Sequence, residues 1–368
     1  VAVAQLGGSI MLAMPGGVPN TRRRMTEART PPVVDWYRTP IPTDVFKRLH
    51  QRSDWKAFAQ TGGFLGVYAA TATLAFLSWW HHEPWYLTVL LVFLHGMVAS
   101  FLTNGMHELG HGTVFKTKLL NEIALRIVSF LGWLHPDLFT GSHQRHHRYT
   151  LHPPDDQEVV LPVKLMLKHF LEQGFINPRG FRWMFLYTVR IACGRFAGAW
   201  ELICFPPDQP RLRRVPILWA RVMLAGHVLI AAVSLYYGLW IIPVLISLTP
   251  MYGGWLFFFC NNTQHIGLQD KVPDFRLCCR TVILHPVVSF LFWQMNYHME
   301  HHMFAAVPCY NLKELHAAIR YDVPPPPVGL LASWRHIISV LRRQEKEPSY
   351  QYVAELPGSA GRPKPVAA

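Results

Sequence analysis

Four long apolar stretches stand out along the chain: Ala57–Trp80, Trp85–Gly105, Ile217–Tyr237 and Leu239–Cys260. Each is about long enough to cross a bilayer as an α-helix, which takes roughly 20 apolar residues. They fall into two pairs. The links within the pairs, Trp79-Trp80-His81-His82-Glu83-Pro84-Trp85 and Tyr236-Tyr237-Gly238-Leu239-Trp240, are short, aromatic and free of Lys and Arg, as expected at a membrane boundary. The N-terminal arm, the middle segment 106–216 and the tail carry nearly all the basic residues, among them Lys47, Arg48, Lys116, Lys118, Arg145, Arg148, Arg211, Arg213, Arg214 and Arg320. Lys and Arg accumulate on the cytoplasmic side, so both termini and the middle segment are expected there. The fold class this predicts is all-α, integral to the membrane and multi-pass, with four transmembrane helices in two hairpins under a helical cytoplasmic cap.

Shorter pieces fill in the cap and the ends. Leu119–Leu134, Phe181–Trp200 and Thr281–Met295 are short or interrupted by charge, and are expected as helices on or partly in the membrane surface. Residues 1–56 read as a loose arm with the run Arg22-Arg23-Arg24, then an interfacial segment at Asp44–Lys56. An apolar start followed by a basic run is the reverse of a signal peptide, and the opening Val makes Met11, Met14 or Met25 candidate starts. Residues 57–323 form the membrane body. Residues 324–368 form a cytoplasmic tail that opens on Pro324–Pro327, holds one amphipathic piece at Ser333–Arg343 and ends in a stretch expected to be disordered.

Composition agrees with this picture. Of the 368 residues 15% are charged and 51% hydrophobic, against roughly 25% charged in soluble domains. The net charge of +13 is spread over many loops, with no nucleic-acid module, so the expected partner is an anionic membrane surface or an acidic protein rather than nucleic acid. The six cysteines form no CxxC pair and are expected as reduced packing residues, which excludes a fused rubredoxin or zinc ribbon.

The 20 histidines carry the chemistry. His107 and His111 stand at i, i+4 directly after the second apolar stretch. His143, His146 and His147 stand at i, i+3, i+4, and His298, His301 and His302 repeat that spacing. On a helix each set shares a face. Imidazole ligates iron, zinc and copper; eight ligands are too many for one ion, so two metals in one site is the economical reading. Two apolar stretches separate the first two boxes from the third. An even number of crossings returns the chain to the same face, so all eight imidazoles can meet on the cytoplasmic side; had the spans numbered three, they could not assemble. A ligating histidine usually gives its other ring N–H to a carboxylate or carbonyl, and Glu108 and Glu300, inside the boxes, are candidates for that role. The remaining histidines follow no ligand spacing, and His95 and His227, within apolar stretches, are expected to hydrogen-bond between helices.

At these residues the chain resembles the membrane fatty acid desaturase superfamily, whose members also include hydroxylases, ketolases and epoxidases. The resemblance covers roughly residues 60–320 and rests on the set H-x-x-x-H, H-x-x-H-H and H-x-x-H-H, most strongly on Asn296–His316, NYHMEHHMFAAVPCYNLKELH. It implies two Fe ions, with O2 as co-substrate. It implies a ninth ligand, His265, in Asn261-Asn262-Thr263-Gln264-His265, with Asn261 reaching a metal through water, and an acid after the second box, where Asp155 and Asp156 stand. The implied activity is that of a non-haem di-iron oxidoreductase inserting a double bond into a fatty acyl chain or other lipid. A hydroxylase, ketolase or epoxidase on the same scaffold is the alternative, and no residue decides between them. The apolar stretches and Trp255–Phe259 can wall a tunnel for the lipid chain. Electrons must come from outside, since no haem, flavin or iron–sulfur motif is visible; a basic cytoplasmic surface suits an acidic carrier such as a ferredoxin or cytochrome b5. The sequence does not report the oligomeric state.

One rival comes from another class. His107-Glu108-Leu109-Gly110-His111 is also a literal H-E-x-x-H, the signature of a zinc protease, but that reading leaves the second and third boxes unexplained. A seven-helix hydrolase or receptor with one zinc, or a transporter, fits four stretches with cytoplasmic histidines poorly, because transporters place polar sites near the midplane.

Overall fold

In the computed structural model of the chain, residues 33–358 are described, apart from Lys164 and Met166. The expectations for the arm ahead of residue 33, with its basic run, and for the tail beyond residue 358 lie outside these residues.

A short helix, α1 (Thr43–Leu49), precedes α2 (Asp54–Trp80), which begins where Ser53 Oγ accepts the Lys56 N–H and ends at the aromatic pair Trp79-Trp80. Pro84 then starts α3 (Trp85–Ser100), which kinks at Phe101 and continues as α4 (Leu102–Gly110). The middle segment folds into α5 (Lys118–Leu131), α6 (Pro136–Tyr149), α7 (Leu167–Gly174), α8 (Pro178–Ala192) and α9 (Ala199–Cys204). Next come α10 (Pro210–Tyr236), α11 (Ile241–Ile246), α12 (Trp255–Asn261), α13 (Phe275–Cys278), α14 (Pro286–Leu291), α15 (His298–Met303), α16 (Leu312–Ile319) and α17 (Leu330–Lys346). Among the described residues β pairing is limited to isolated bridges. Two of these, Thr281 with Tyr297 and Ile283 with Val328, hold the start of Thr281–Met295 extended, so the surface helix expected there shrinks to α14.

Among the described residues three helical runs are long and apolar enough to cross a membrane: Asp54–Trp80, Trp85–Gly110 and Pro210–Tyr236. The fourth apolar stretch is not one helix. It breaks between α11 and α12, through a 3-10 turn at Thr249–Met251 and the sequence Tyr252-Gly253-Gly254. Pro250 brings no N–H to continue a helix, and Gly253 takes φ +78, a left-handed conformation that favours glycine. A Cβ on Gly253 would lie 2.6 Å from Met97 N and 2.7 Å from Gly96 C and Phe93 O, and a Cβ on Gly96 would lie 2.3 Å from the Tyr252 ring. The broken stretch thus presses on α3 backbone to backbone.

A break within an apolar environment frees carbonyls that must find donors. Here side chains of neighbouring helices supply them. His95 Nε2 donates to Leu245 O at 2.8 Å, Tyr68 OH to the same oxygen at 3.2 Å, Tyr252 OH to Val244 O at 2.9 Å and Trp133 Nε1 to Ser247 O at 2.8 Å. His227 Nε2 donates to Phe130 O at 3.1 Å, while its Nδ1 meets Ser247 Oγ at 2.9 Å. His95 and His227 therefore do bridge helices: His95 takes up a carbonyl of the break, while His227 ties α10 to α5 and to the Ser247 side chain.

Despite the break, the chain returns to where it set out. Arg213, near the start of α10, donates to the carbonyl of Phe205, whose ring lies against Gly141 of α6; beyond α12, the His265 ring centroid is 5.4 Å from that of His146, also on α6. A buried ion cluster joins α13 to the N-terminal segment. Arg276 pairs with Asp274 and Asp322, each at 2.8 Å, and Tyr37 OH and Thr39 Oγ1 donate to Asp322 at 2.9 and 2.6 Å, tying the N-terminal segment to the end of α16. Helix α17 is docked through Trp334 Nε1, which donates to Phe259 O at 3.0 Å.

Candidate metal centre

Each histidine box sits on a helix whose position is set by polar contacts. His107 lies on α4 and His111 caps its end. The turn that follows is pinned by Asn121 of α5, whose Nδ2 donates to Leu109 O at 2.8 Å and whose Oδ1 accepts the Phe115 N–H at 3.3 Å. The second box occupies the last turns of α6, started by Pro136 and packed on α4. The third box is α15, held in place by Asn296, whose Nδ2 donates to Val282 O at 2.9 Å. His265 stands on the loop after α12, where the buried Arg280 guanidinium donates to the carbonyls of Thr263 and Ile266 and His265 Nδ1 donates to Cys278 O at 2.8 Å.

The nine histidines singled out in the sequence converge, and they divide into two groups. His107, His111, His143, His147 and His301 form one; His146, His265, His298 and His302 form the other; within each group the ligand atoms lie within 4.8 Å of one another. The split runs through the H-x-x-H-H boxes. The i, i+4 pair of the second box serves the first group and its middle histidine the second, while the third box does the reverse. Consecutive residues on a helix point about 100° apart, so neighbours such as His146 and His147 face different centres.

The protons show what each group requires. Burial holds the imidazoles of His143, His147, His298, His301 and His302 well below the ordinary histidine value, and His265 at about 3. In the second group His265 Nδ1 donates to Cys278 O. Thr150 Oγ1 donates to His146 O at 2.6 Å, so its 3.1 Å contact with His302 Nδ1 places the His302 proton on Nδ1. The Nε2 atoms of His265 and His302 are therefore lone pairs. They stand 2.9 and 3.1 Å from His298 Nε2, which can give a proton to only one of them. In the first group His143 Nε2 and His301 Nε2 stand 2.9 and 3.1 Å from His147 Nε2, and His111 Nε2 is buried with no protein partner. Converging lone pairs repel unless a cation lies between them. Metal–nitrogen bonds of about 2.1 Å bring adjacent ligand nitrogens to about 3 Å, so the donor set fits a metal in each group.

Carboxylates orient the rings. Glu108 Oε1 accepts from His107 Nδ1 at 2.8 Å, which occupies the carboxylate that a zinc protease would use as general base. Asp156 accepts from His146 Nδ1 at 2.9 Å and also from the N–H groups of Leu151 and Glu158, so it shapes the loop after α6 as well as aiming a ring. Burial works against a charge on His146, but Asp156 and Glu158 outweigh it and push its pKa up to about 9; the second proton they draw to the ring is one that a metal at Nε2 would displace. Glu158, absent from the sequence reading, accepts from His143 Nδ1 at 2.9 Å and Ser142 Oγ at 3.0 Å. Burial raises its carboxyl to about 8 while His146 draws it down, and a cation among the imidazoles would act in the same direction as His146. Its signal in the sequence was the acidic run Asp155-Asp156-Gln157-Glu158. Asp155 is buried at the turn, its N–H bonded to His152 O at 3.0 Å. Glu300 faces away from the histidine groups, accepting from His316 Nδ1 at 2.5 Å and from Thr281 Oγ1, so it steadies α15 and does not orient one of the nine rings.

Cavities adjoin the site. One of about 20 Å³ is lined by Asn261, His265, His298 and Thr103; a second, of about 170 Å³, shares Thr103 and runs between α4, α8 and the broken stretch, with Phe257 and Phe258 in its wall. Of the aromatic run expected to wall a tunnel, these two phenylalanines line the larger cavity, while Phe259 packs on Phe170 and Trp334.

A protein-family model described as fatty acid desaturase matches residues 83–330, a span that holds all nine histidines. A search of curated proteins finds no match.

Proposed function

The chain belongs to the fatty acid desaturase family, and on that premise we propose that it is a membrane-bound, O2-dependent di-iron oxidase that inserts a double bond into the acyl chain of a lipid. The observation that carries this reading is the pair of imidazole groups, five and four strong, whose lone pairs converge. Two irons, when bound, supply the activation of O2 and the power to take hydrogen from an unactivated C–H bond.

The protein's own contributions follow from the residues. His107, His111, His143, His147 and His301 would hold one iron, and His146, His265, His298 and His302 the other. Glu108, Glu158 and Asp156 keep the Nδ1 protons outward, so the Nε2 lone pairs stay available. Asn261 lies on a cavity with room for a single water, which supports its acting through one. The larger cavity receives the lipid chain and, once filled, shuts bulk water out. The stretch 239–261 makes the fourth crossing as a broken helix, and the distribution of basic residues supports a cytoplasmic site and termini. Reducing equivalents come from an external carrier, a ferredoxin or a cytochrome b5, docking on the basic face.

Two measurements test the proposal. Metal analysis of the purified protein is expected to give about two irons per chain, in line with the two groups; one zinc per chain would overturn it. Mass spectrometry of lipids from an expressing host is expected to show loss of two hydrogens. A gain of one oxygen would replace desaturation by hydroxylation or epoxidation.

A further inference from the structure

Helix α17 lies where the membrane boundary falls, and part of its apolar arc is uncovered. Counting the roughly 20 residues of a spanning helix back from the Trp79-Trp80 end of α2 puts the near edge of the hydrocarbon at about Gln60. Gln60 Nε2 donates to Phe290 O of α14 at 3.0 Å, and the Phe290 ring lies against Gly63, so α14 sits at that edge. Ile283, just ahead of α14, pairs with Val328, and its carbonyl accepts the Gly329 N–H at 2.8 Å, where α17 begins. A turn further on, Trp334 Nε1 donates to Phe259 O, close to the same end of the broken fourth stretch. Two separate contacts therefore hold the first turns of α17 at headgroup depth.

Successive residues of a helix turn by about 100°. Ser333, Ile337 and Val340 fall together and are buried against the protein; Leu330, Trp334 and Leu341 come next round and are half-buried. Beyond them Leu331, 66% exposed, and Ile338, 41% exposed, carry the apolar arc off the protein. Arg342, Arg335 and Lys346, all exposed, border that edge, and Glu345 closes it in the last turn. Val287 and Val328 are exposed beside the start of the helix. An apolar edge bordered by cations at this depth suits a helix lying in the surface of an anionic bilayer.

We infer that α17 seats in the headgroup layer of an anionic bilayer, with Leu331 and Ile338 at the acyl boundary and Arg335 and Arg342 on lipid phosphates. The inference rests on the proposed crossings by α2 and by residues 239–261. The seat reaches toward the metal groups. Val340 packs on Gly267, and the Gly267 carbonyl accepts the Tyr352 N–H at 2.9 Å, two residues after His265. Anionic lipid thus steadies the His265 loop from outside.

The test is hydrogen exchange of the full chain in nanodiscs of phosphatidylcholine, with and without phosphatidylglycerol, one chain per disc so that no second copy can cover the face. Exchange across 330–343 is expected to slow in the anionic discs by about fivefold for each arginine at the surface, and exchange across 262–268 to slow with it. Arg335→Gln combined with Arg342→Gln should remove that gain and leave exchange in phosphatidylcholine discs as it was, which shows that the helix is still docked. Leu331→Ser combined with Ile338→Ser should speed exchange in both discs. Equal exchange of the unaltered protein in the two discs, or a gain that survives the double arginine variant, overturns the inference. Protection supplied in phosphatidylcholine discs by a soluble acidic carrier would assign the face to a protein and also overturn it, and unchanged exchange across 262–268 would sink the link to the His265 loop. The readout needs neither iron nor turnover. A chain that oxidises lipid but exchanges alike in both discs sinks only this inference, and one that shows the gain but holds no iron sinks only the proposed function.

Discussion

Replacing Gly253 by alanine tests the feature that shapes both the cavity and the approach of His265. Alanine at φ +78 pays the left-handed penalty of about 1–2 kcal/mol. Its Cβ would also lie 2.6 Å from Met97 N and 2.7 Å from Gly96 C and Phe93 O. All three are backbone atoms of α3, so no side chain can turn aside and the two segments must separate. Overpacking of this kind costs about 1–3 kcal/mol, which brings the total to about 2–5 kcal/mol. Gly62 is the control. It lies within α2 and a Cβ there meets nothing within 4 Å, so Gly62→Ala should be neutral or stabilise by about 0.5–1 kcal/mol. The assay is thermal unfolding in one detergent, with iron content measured on the same preparations. Gly253→Ala should unfold at a clearly lower temperature and retain less iron, because α12 and the His265 loop hang from that turn; Gly62→Ala should do neither. A Gly253→Ala protein that matches the unaltered one in both would refute the backbone-to-backbone crossing and favour a straight fourth helix.

Four further outcomes are expected. Glu158→Gln keeps the shape but loses the charge behind His143, and in chelator competition the protein should give up iron about 10–100-fold more readily. Arg280→Met removes the donors to the carbonyls of Thr263 and Ile266; the protein should lose about 1–3 kcal/mol or more of stability in denaturant titration, with lower iron occupancy. Stripping metal with a chelator should lower the unfolding temperature, and ferrous iron should restore it, since a ligand of the folded state stabilises by mass action; an unchanged transition would argue against ion binding among the imidazoles. Turnover with an acidic carrier should fall as salt rises and the Debye length shrinks from about 10 Å at 0.1 M to about 3 Å at 1 M, and a flat response would count against docking on the basic face.

The sequence by itself determined what is local. Ligand-like spacing and helical register are properties of a few consecutive residues, so the histidine boxes could be read directly, and apolar runs announce helices suited to a membrane. What lay beyond was decided by helices meeting. Which centre each imidazole faces depends on how α4, α6 and α15 approach, and the division of His146 from His147 and of His301 from His302 follows from that approach. Glu300 sits in a box yet points the other way, two residues round the helix from His298, whereas Glu158 reaches His143 from 15 residues along because Asp156 folds the loop between them. The Leu239–Cys260 stretch has the same apolar character whether straight or broken. Contact of Gly253 with α3, and the side chains of His95, Tyr68 and Trp133 that take up the freed carbonyls, decide that it breaks, and these partners are far apart in the chain.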